Sequence, residues 1–168
     1  MLKDLISLGA DVHATNPQGM DVLHVAAQGD QPSALYYFIK NFGMDINSKD
    51  DKHSTPLHWA AFSANELVLS YILAWGADLD AQDFKGLTPL HLGVLASEQS
   101  HSTRLVRHLL IKGADQKIRD KKNRTVLEYA DQKIGNPSWK DTVCKILRDS
   151  DSSNKKFSDK LFEFLQIQ

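Results

Sequence analysis

The chain has 168 residues, 42% of them hydrophobic, and one cysteine, Cys144, which excludes an internal disulfide and points to a reducing compartment. No run approaches the roughly 18 apolar residues a membrane-spanning helix needs. The formal net charge of −1 hides a split: residues 1–100 carry five Lys/Arg against twelve Asp/Glu, and residues 101–168 fifteen against nine.

The chain starts Met-Leu-Lys-Asp without a secretory leader pattern. Its first signal, Gly9-Ala10-Asp11, closes what reads as the second half of a two-helix unit over 1–15. A start inside a unit is expected of a fragment of a longer protein. Over 16–49, Leu23-His24-Val25-Ala26-Ala27 opens a helix and Gly43 ends the unit. Over 50–82 the opening is Thr55-Pro56-Leu57-His58-Trp59-Ala60-Ala61 and the end Gly76-Ala77-Asp78. Over 83–119 it is Thr88-Pro89-Leu90-His91-Leu92 and Gly113-Ala114-Asp115. Over 120–149, Thr125-Val126-Leu127-Glu128-Tyr129-Ala130 is a degenerate copy. The glycines Gly9, Gly43, Gly76 and Gly113 are spaced 34, 33 and 37. Units this small cannot bury a core alone, so they must stack.

The residue types suit helix–turn–helix units. Thr55 and Thr88 are N-caps, and Pro56 and Pro89 stand at the first helical position, where a missing N–H costs nothing. Leu67, Val68, Tyr71, Ile72 and Leu73 form an apolar stripe at helical spacing. Gly76 can take the left-handed conformation that ends a helix, and the polar run Asp78–Asp83 suits a finger-like turn between units. His91 to Gly113 spans 22 residues where His58 to Gly76 spans 18, and the extra residues fall in Ser97–Ser102, predicted as a loop between the two helices. Beyond 149 the pattern predicts a polar linker over 150–156. A short amphipathic helix over 157–168 follows, either capping the stack or leading out of it.

These motifs resemble the ankyrin-repeat family over residues 2 to about 149. The resemblance implies an all-α solenoid of four to five repeats with β-hairpin fingers, and a function in binding protein or peptide partners.

Nothing in the sequence asks for catalysis. His24, His58 and His91 recur at equivalent positions, whereas an active site is needed once; backbone bonding between units accounts for them better. No phosphate-binding loop, nucleophile elbow or zinc-ligand spacing appears. The segment is therefore expected to be no enzyme and to carry no metal or cofactor, the alternative being an unrecognised site in the Ser97–Ser102 insertion.

In the resembled family, partners meet the fingers and first helices. Mapped by motif, that groove consists of Met20, Gln28, Ser54, Trp59, Phe62, Phe84, Leu87 and Leu95, with Met20, Phe62, Phe84, Leu87 and Leu95 expected to expose apolar surface. Trp59 fits either the groove or the core. The expected ligand is an extended apolar peptide with basic flanks. The basic C-terminal half suits an anionic membrane surface or an acidic peptide, whereas nucleic acid lacks an accompanying module. A monomer is expected.

Within the family, the stretches 23–30, 55–62 and 103–115 are similar to the cytosolic ankyrin modules of DHHC-type palmitoyltransferases, although the Asp-His-His-Cys motif and its zinc-binding cysteines are absent. That resemblance implies substrate recruitment at the cytoplasmic face of a membrane, with a free-standing cytosolic adaptor or inhibitor as the alternative. The family also makes Asn47, after Asp45-Ile46, a position of the kind that dioxygenases hydroxylate.

Overall fold

The computed structural model describes residues 8–166, with side chains described to residue 151. Eight helices among these residues form four antiparallel pairs. The pairs are α1 (Val22–Gln28) with α2 (Pro32–Phe42), α3 (Pro56–Phe62) with α4 (Glu66–Ala74), α5 (Pro89–Ser100) with α6 (Arg104–Ile111), and α7 (Val126–Lys133) with α8 (Pro137–Gln166). The first helices form one layer, α1 on α3, α3 on α5 and α5 on α7, with the second helices behind them. The second helix expected in the half unit at 1–15 falls largely on residues outside those described. So do the apolar side chains of the expected 157–168 helix.

The second and third units' first helices start at the predicted caps Thr55 and Thr88, the first at Asp21, and the histidine three residues on completes a capping box at all three. At Thr125 the same role falls to Glu128, whose carboxylate accepts from Thr125 N–H at 2.7 Å. One leucine per opening motif fills the space between units: Leu23, Leu57 and Leu90 are fully buried, as is Val126 in the fourth. Ala27 and Ala61, also fully buried, let neighbouring helices approach closely. The unit-ending glycines Gly43, Gly76 and Gly113 have φ of 62°, 80° and 96°, a region that a side chain would disfavour. Trp75 leans across to the preceding unit, its ring 6.0 Å from that of Tyr36.

Three features differ from the sequence expectation. The fingers hold no strand among the described residues; each is a tight turn built around one side chain. Asn16, Asp50, Asp83 and Asp120 each accept two backbone N–H bonds across their own turn, from the residues two and four positions on. Successive fingers are joined by Asp51 N–H to Gln18 O (3.1 Å), Phe84 N–H to Lys52 O (2.8 Å) and Lys121 N–H to Lys85 O (2.9 Å).

The insertion is helical. Ser97 to Ser100 extend α5, and His101 ends it in the left-handed conformation. The added turn reaches the start of α8: Glu98 accepts from Gly135 N–H at 3.2 Å and Asn136 N–H at 2.7 Å, and Trp139 Nε1 donates to Ser97 Oγ at 3.2 Å. Helix α8 also runs through 150–156, where a linker was expected. The reason is compositional: no Pro or Gly follows Pro137 to break it.

Candidate functional site

The histidines come first, because they fix the floor of the groove. Thr55 N–H donates to His58 Nδ1 at 3.1 Å, so the proton sits on Nε2, which donates to Leu87 O at 3.0 Å in the next unit. His24 Nε2 likewise donates to Ser54 O at 3.0 Å. His91 repeats the first half of the pattern with Thr88 N–H at 3.2 Å, and its buried Nε2 faces the backbone of Arg124 in the next unit without the well-formed bond of the other two. Burial pushes the His58 and His91 imidazoles below their ordinary value of 6.5, so both are held neutral. These rings are structural ties between units.

That tie corrects part of the predicted groove. Met20, Ser54 and Leu87 precede the caps and were expected at exposed finger tips. They lie instead on the returning limb of each finger, where Met20 O, Ser54 O and Leu87 O accept from the N–H groups of Asn16, Asp50 and Asp83. Their side chains are buried, Met20 at 5% and Leu87 at 6% exposure.

The remaining predicted residues keep part of their surface open to solvent. Gln28 is exposed and Leu95 half-buried. Phe62 is 50% exposed and Phe84 44%. Trp59 is half-buried, and its Nε1 donates to Asp50 Oδ2 at 3.0 Å, which holds the indole upright against the finger. Phe62 packs edge-on to it, ring centres 6.1 Å apart. Together with Lys52, Ser54, His58 and Leu92 they enclose a cavity of about 170 Å³. Phe84 and Leu87 fall instead around a second cavity, of about 400 Å³, shared with the fourth unit. Of the eight predicted residues, Ser54, Trp59 and Phe62 thus fall at one cavity, Phe84 and Leu87 at the other, and Met20, Gln28 and Leu95 at neither. Val25, 49% exposed, escaped the sequence reading although it occupies the slot of Trp59 and Leu92 in the first unit. Aligning the opening motifs residue by residue would have found it.

Reactive chemistry has little foothold here. Cys144 is buried, and burial raises its thiol, the opposite of what a nucleophile requires. Among the described residues, no three of His, Cys, Asp and Glu converge where a metal ion would sit. No described helix is long and apolar enough to cross a membrane. Within the insertion, Ser97 and Glu98 are committed to α8.

A stack of capped helix pairs tied by buried histidines, with an open row of variable side chains, defines a repeat protein built for binding. The family models agree: one for ankyrin repeats in three copies matches residues 1–83, and one for a single ankyrin repeat matches 85–121. The chain belongs to the ankyrin-repeat family. It is 40% identical to NF-kappa-B inhibitor delta of Mus musculus over 70 residues, 41% of this chain and 21% of the relative. It is 30% identical to the putative palmitoyltransferase ZDHHC13 of Danio rerio over 135 residues, 80% of this chain and 20% of the relative. It is 38% identical to the inactive serine/threonine-protein kinase TEX14 of Mus musculus over 72 residues, 43% of this chain and 5% of the relative. The chain thus spans about a fifth or less of these relatives' lengths. As an ankyrin-repeat segment it is a protein–protein interaction module.

Proposed function

We propose that the groove at Trp59 and Phe62 binds an extended apolar segment of a partner protein, and that it does so to recruit substrate to a DHHC-type palmitoyltransferase of which this module is part. The carrying observation is the exposed Phe62 ring set against an indole already fixed by Asp50. An aromatic wall immobilised before binding loses little side-chain entropy when the partner arrives. The acidic N-terminal 100 residues favour basic flanks on the bound segment. The palmitoyltransferase assignment rests on the Danio rerio relative, which matches most of this chain. A second reading, a free-standing adaptor or inhibitor, is favoured by the higher identity to the Mus musculus inhibitor over a shorter stretch.

The groove is tested by capture from lysate with the wild-type module, Phe62→Ala and Trp59→Ala, followed by mass spectrometry. Partners retained by the wild type and lost from both variants support it; equal capture overturns it. The full-length transcript decides between the two readings: a downstream Asp-His-His-Cys motif among apolar spans favours the first, and its absence the second.

A further inference from the structure

The cavity of about 400 Å³ between the third and fourth units shares no lining residue with the Trp59 groove. Its apolar surface comes chiefly from the exposed ring of Phe84, on the third finger, with the buried Leu87 and Tyr129, on α7, beneath it. Around that surface stand Lys85, Lys121, Lys122, Lys133 and Arg124, against the single carboxylate of Asp120.

The carboxylate is already committed. Asp120 Oδ1 accepts from Lys122 N–H and Arg124 N–H, each at 2.9 Å, and Oδ2 accepts from Arg124 Nε at 2.9 Å. The Arg124 guanidinium lies 4.8 Å over the Tyr129 ring and donates to Gln132 Oε1 at 2.9 Å. Arg124 and Asp120 therefore cancel each other and serve the finger turn. The four lysines have no such answer. All are exposed, and none forms an ion pair among the described residues. The finger-to-finger bond from Lys121 N–H to Lys85 O brings two of them together, and Lys85 Nζ already sits 5.3 Å over the Phe84 ring. Four like charges gathered at one rim repel one another, and an anionic ligand relieves that repulsion.

We propose that this cavity is a second docking site, for an acidic peptide segment carrying an apolar anchor. The anchor seats on the exposed Phe84 ring, and Asp or Glu side chains before and after it meet Lys85, Lys121, Lys122 and Lys133 around it. Lysine ammonium groups on flexible stems suit carboxylates at variable positions along a peptide better than a fixed bidentate geometry. An anionic bilayer would satisfy the lysines but leave the apolar surface between them unfilled. The site is independent of the groove proposed above, and the two together give the module opposite charge preferences at its two ends.

The test is fluorescence anisotropy with a labelled peptide Glu-Asp-Glu-Leu-Glu-Asp-Glu and its counterpart Lys-Arg-Lys-Leu-Lys-Arg-Lys. Saturable binding of the acidic peptide alone is expected, weakened by added salt. The exposed pair K121E/K122E should reduce affinity by roughly tenfold or more, and K85Q/K133Q provides a second variant that removes charge without reversing it. Replacing the peptide leucine by serine should also weaken binding several-fold. Phe62→Ala should leave the acidic peptide's affinity unchanged, so failure of the groove and failure of this site are told apart. No binding of the acidic peptide, or equal binding by both lysine variants, overturns the proposal. So does loss of phosphatidylserine-vesicle binding in K121E/K122E with no peptide effect, which would make the surface a lipid contact.

Discussion

His58 Nε2 donates to the carbonyl of Leu87 at 3.0 Å across the boundary between two units, through a ring that is almost wholly buried. Only the neutral ring fits, since Nδ1 must accept from Thr55 N–H while Nε2 donates. Stability therefore depends on pH with a definite sign. A histidine whose folded pKa lies below the unfolded value binds fewer protons when folded, so its contribution is complete above 6.5 and falls as pH drops below it. Melting temperature should decline from neutral pH to about 5, and His58→Gln should flatten that decline while lowering stability at neutral pH. A flat wild-type profile across this range would contradict the assignment.

A second acid transition belongs to Asp21. Burial raises its pKa, but the hydrogen bonds from His24 and Ser48 and the nearby His24 ring outweigh that and hold it at about 2, against 3.8 unperturbed. Its contribution is present above 3.8 and lost as pH falls towards 2. Asp21→Ala removes the cap on Leu23 N–H and His24 N–H as well as the bond from Ser48 Oγ. It should cost about 2 kcal/mol in urea unfolding at neutral pH and remove this lower acid transition.

Phe62 and Leu87 read alike in the sequence and separate in the structure. Phe62→Ala should stay within about 0.5 kcal/mol of wild type in chemical unfolding. Leu87→Ala, which empties a buried position, should lose about 2–3 kcal/mol. Similar costs for both would mean the exposed ring has been misassigned.

Gly86 has φ of +75°, and a Cβ there would lie 2.8 Å from the backbone nitrogen of Lys121 in the next finger. Gly86→Ala should cost about 2 kcal/mol or more, from backbone strain and the pushing apart of two fingers. A calorimetric melt with wild-type midpoint would show that the fingers approach less closely than this.

Glu98 joins α5 to the start of α8 through Gly135 N–H and Asn136 N–H. Glu98→Ala should cost about 1–2 kcal/mol and redden Trp139 emission as the indole loses its place beside Ser97. Unchanged emission would detach the insertion from that role.

Much of the architecture was legible because each signal is local and repeated: the caps at Thr55 and Thr88, the prolines after them, the buried leucines one position on, and the left-handed glycines. What escaped depended on neighbours. Nothing local distinguishes Leu87, pressed under the histidine of the preceding unit, from Phe62, which faces outward. The insertion Ser97–Ser102 is polar and lacks apolar period, so it read as a loop; contact with Gly135, Asn136 and Trp139, far along the chain, makes it helix. The candidate site was legible in its wall, Trp59 and Phe62, and missed in its division, because the lysines of the fourth finger meet Phe84 only once the fingers stack.

The loosely tied Nε2 of His91 makes one junction unlike the others. In a linear array, cooperativity is only as strong as each nearest-neighbour coupling, and the histidine tie between the third and fourth units is less well formed than the two before it. The array should therefore melt from this end, with amides of α7 exchanging with solvent sooner than those of α3 and leaving a shorter folded stack behind. The Trp59 wall survives such an opening, whereas the lysine-rimmed cavity, most of whose lining belongs to the fourth unit, dissolves with it. Anything held there acts as a latch: it binds only the closed array, and by mass action slows the exchange of the helix that the weaker histidine tie leaves loose.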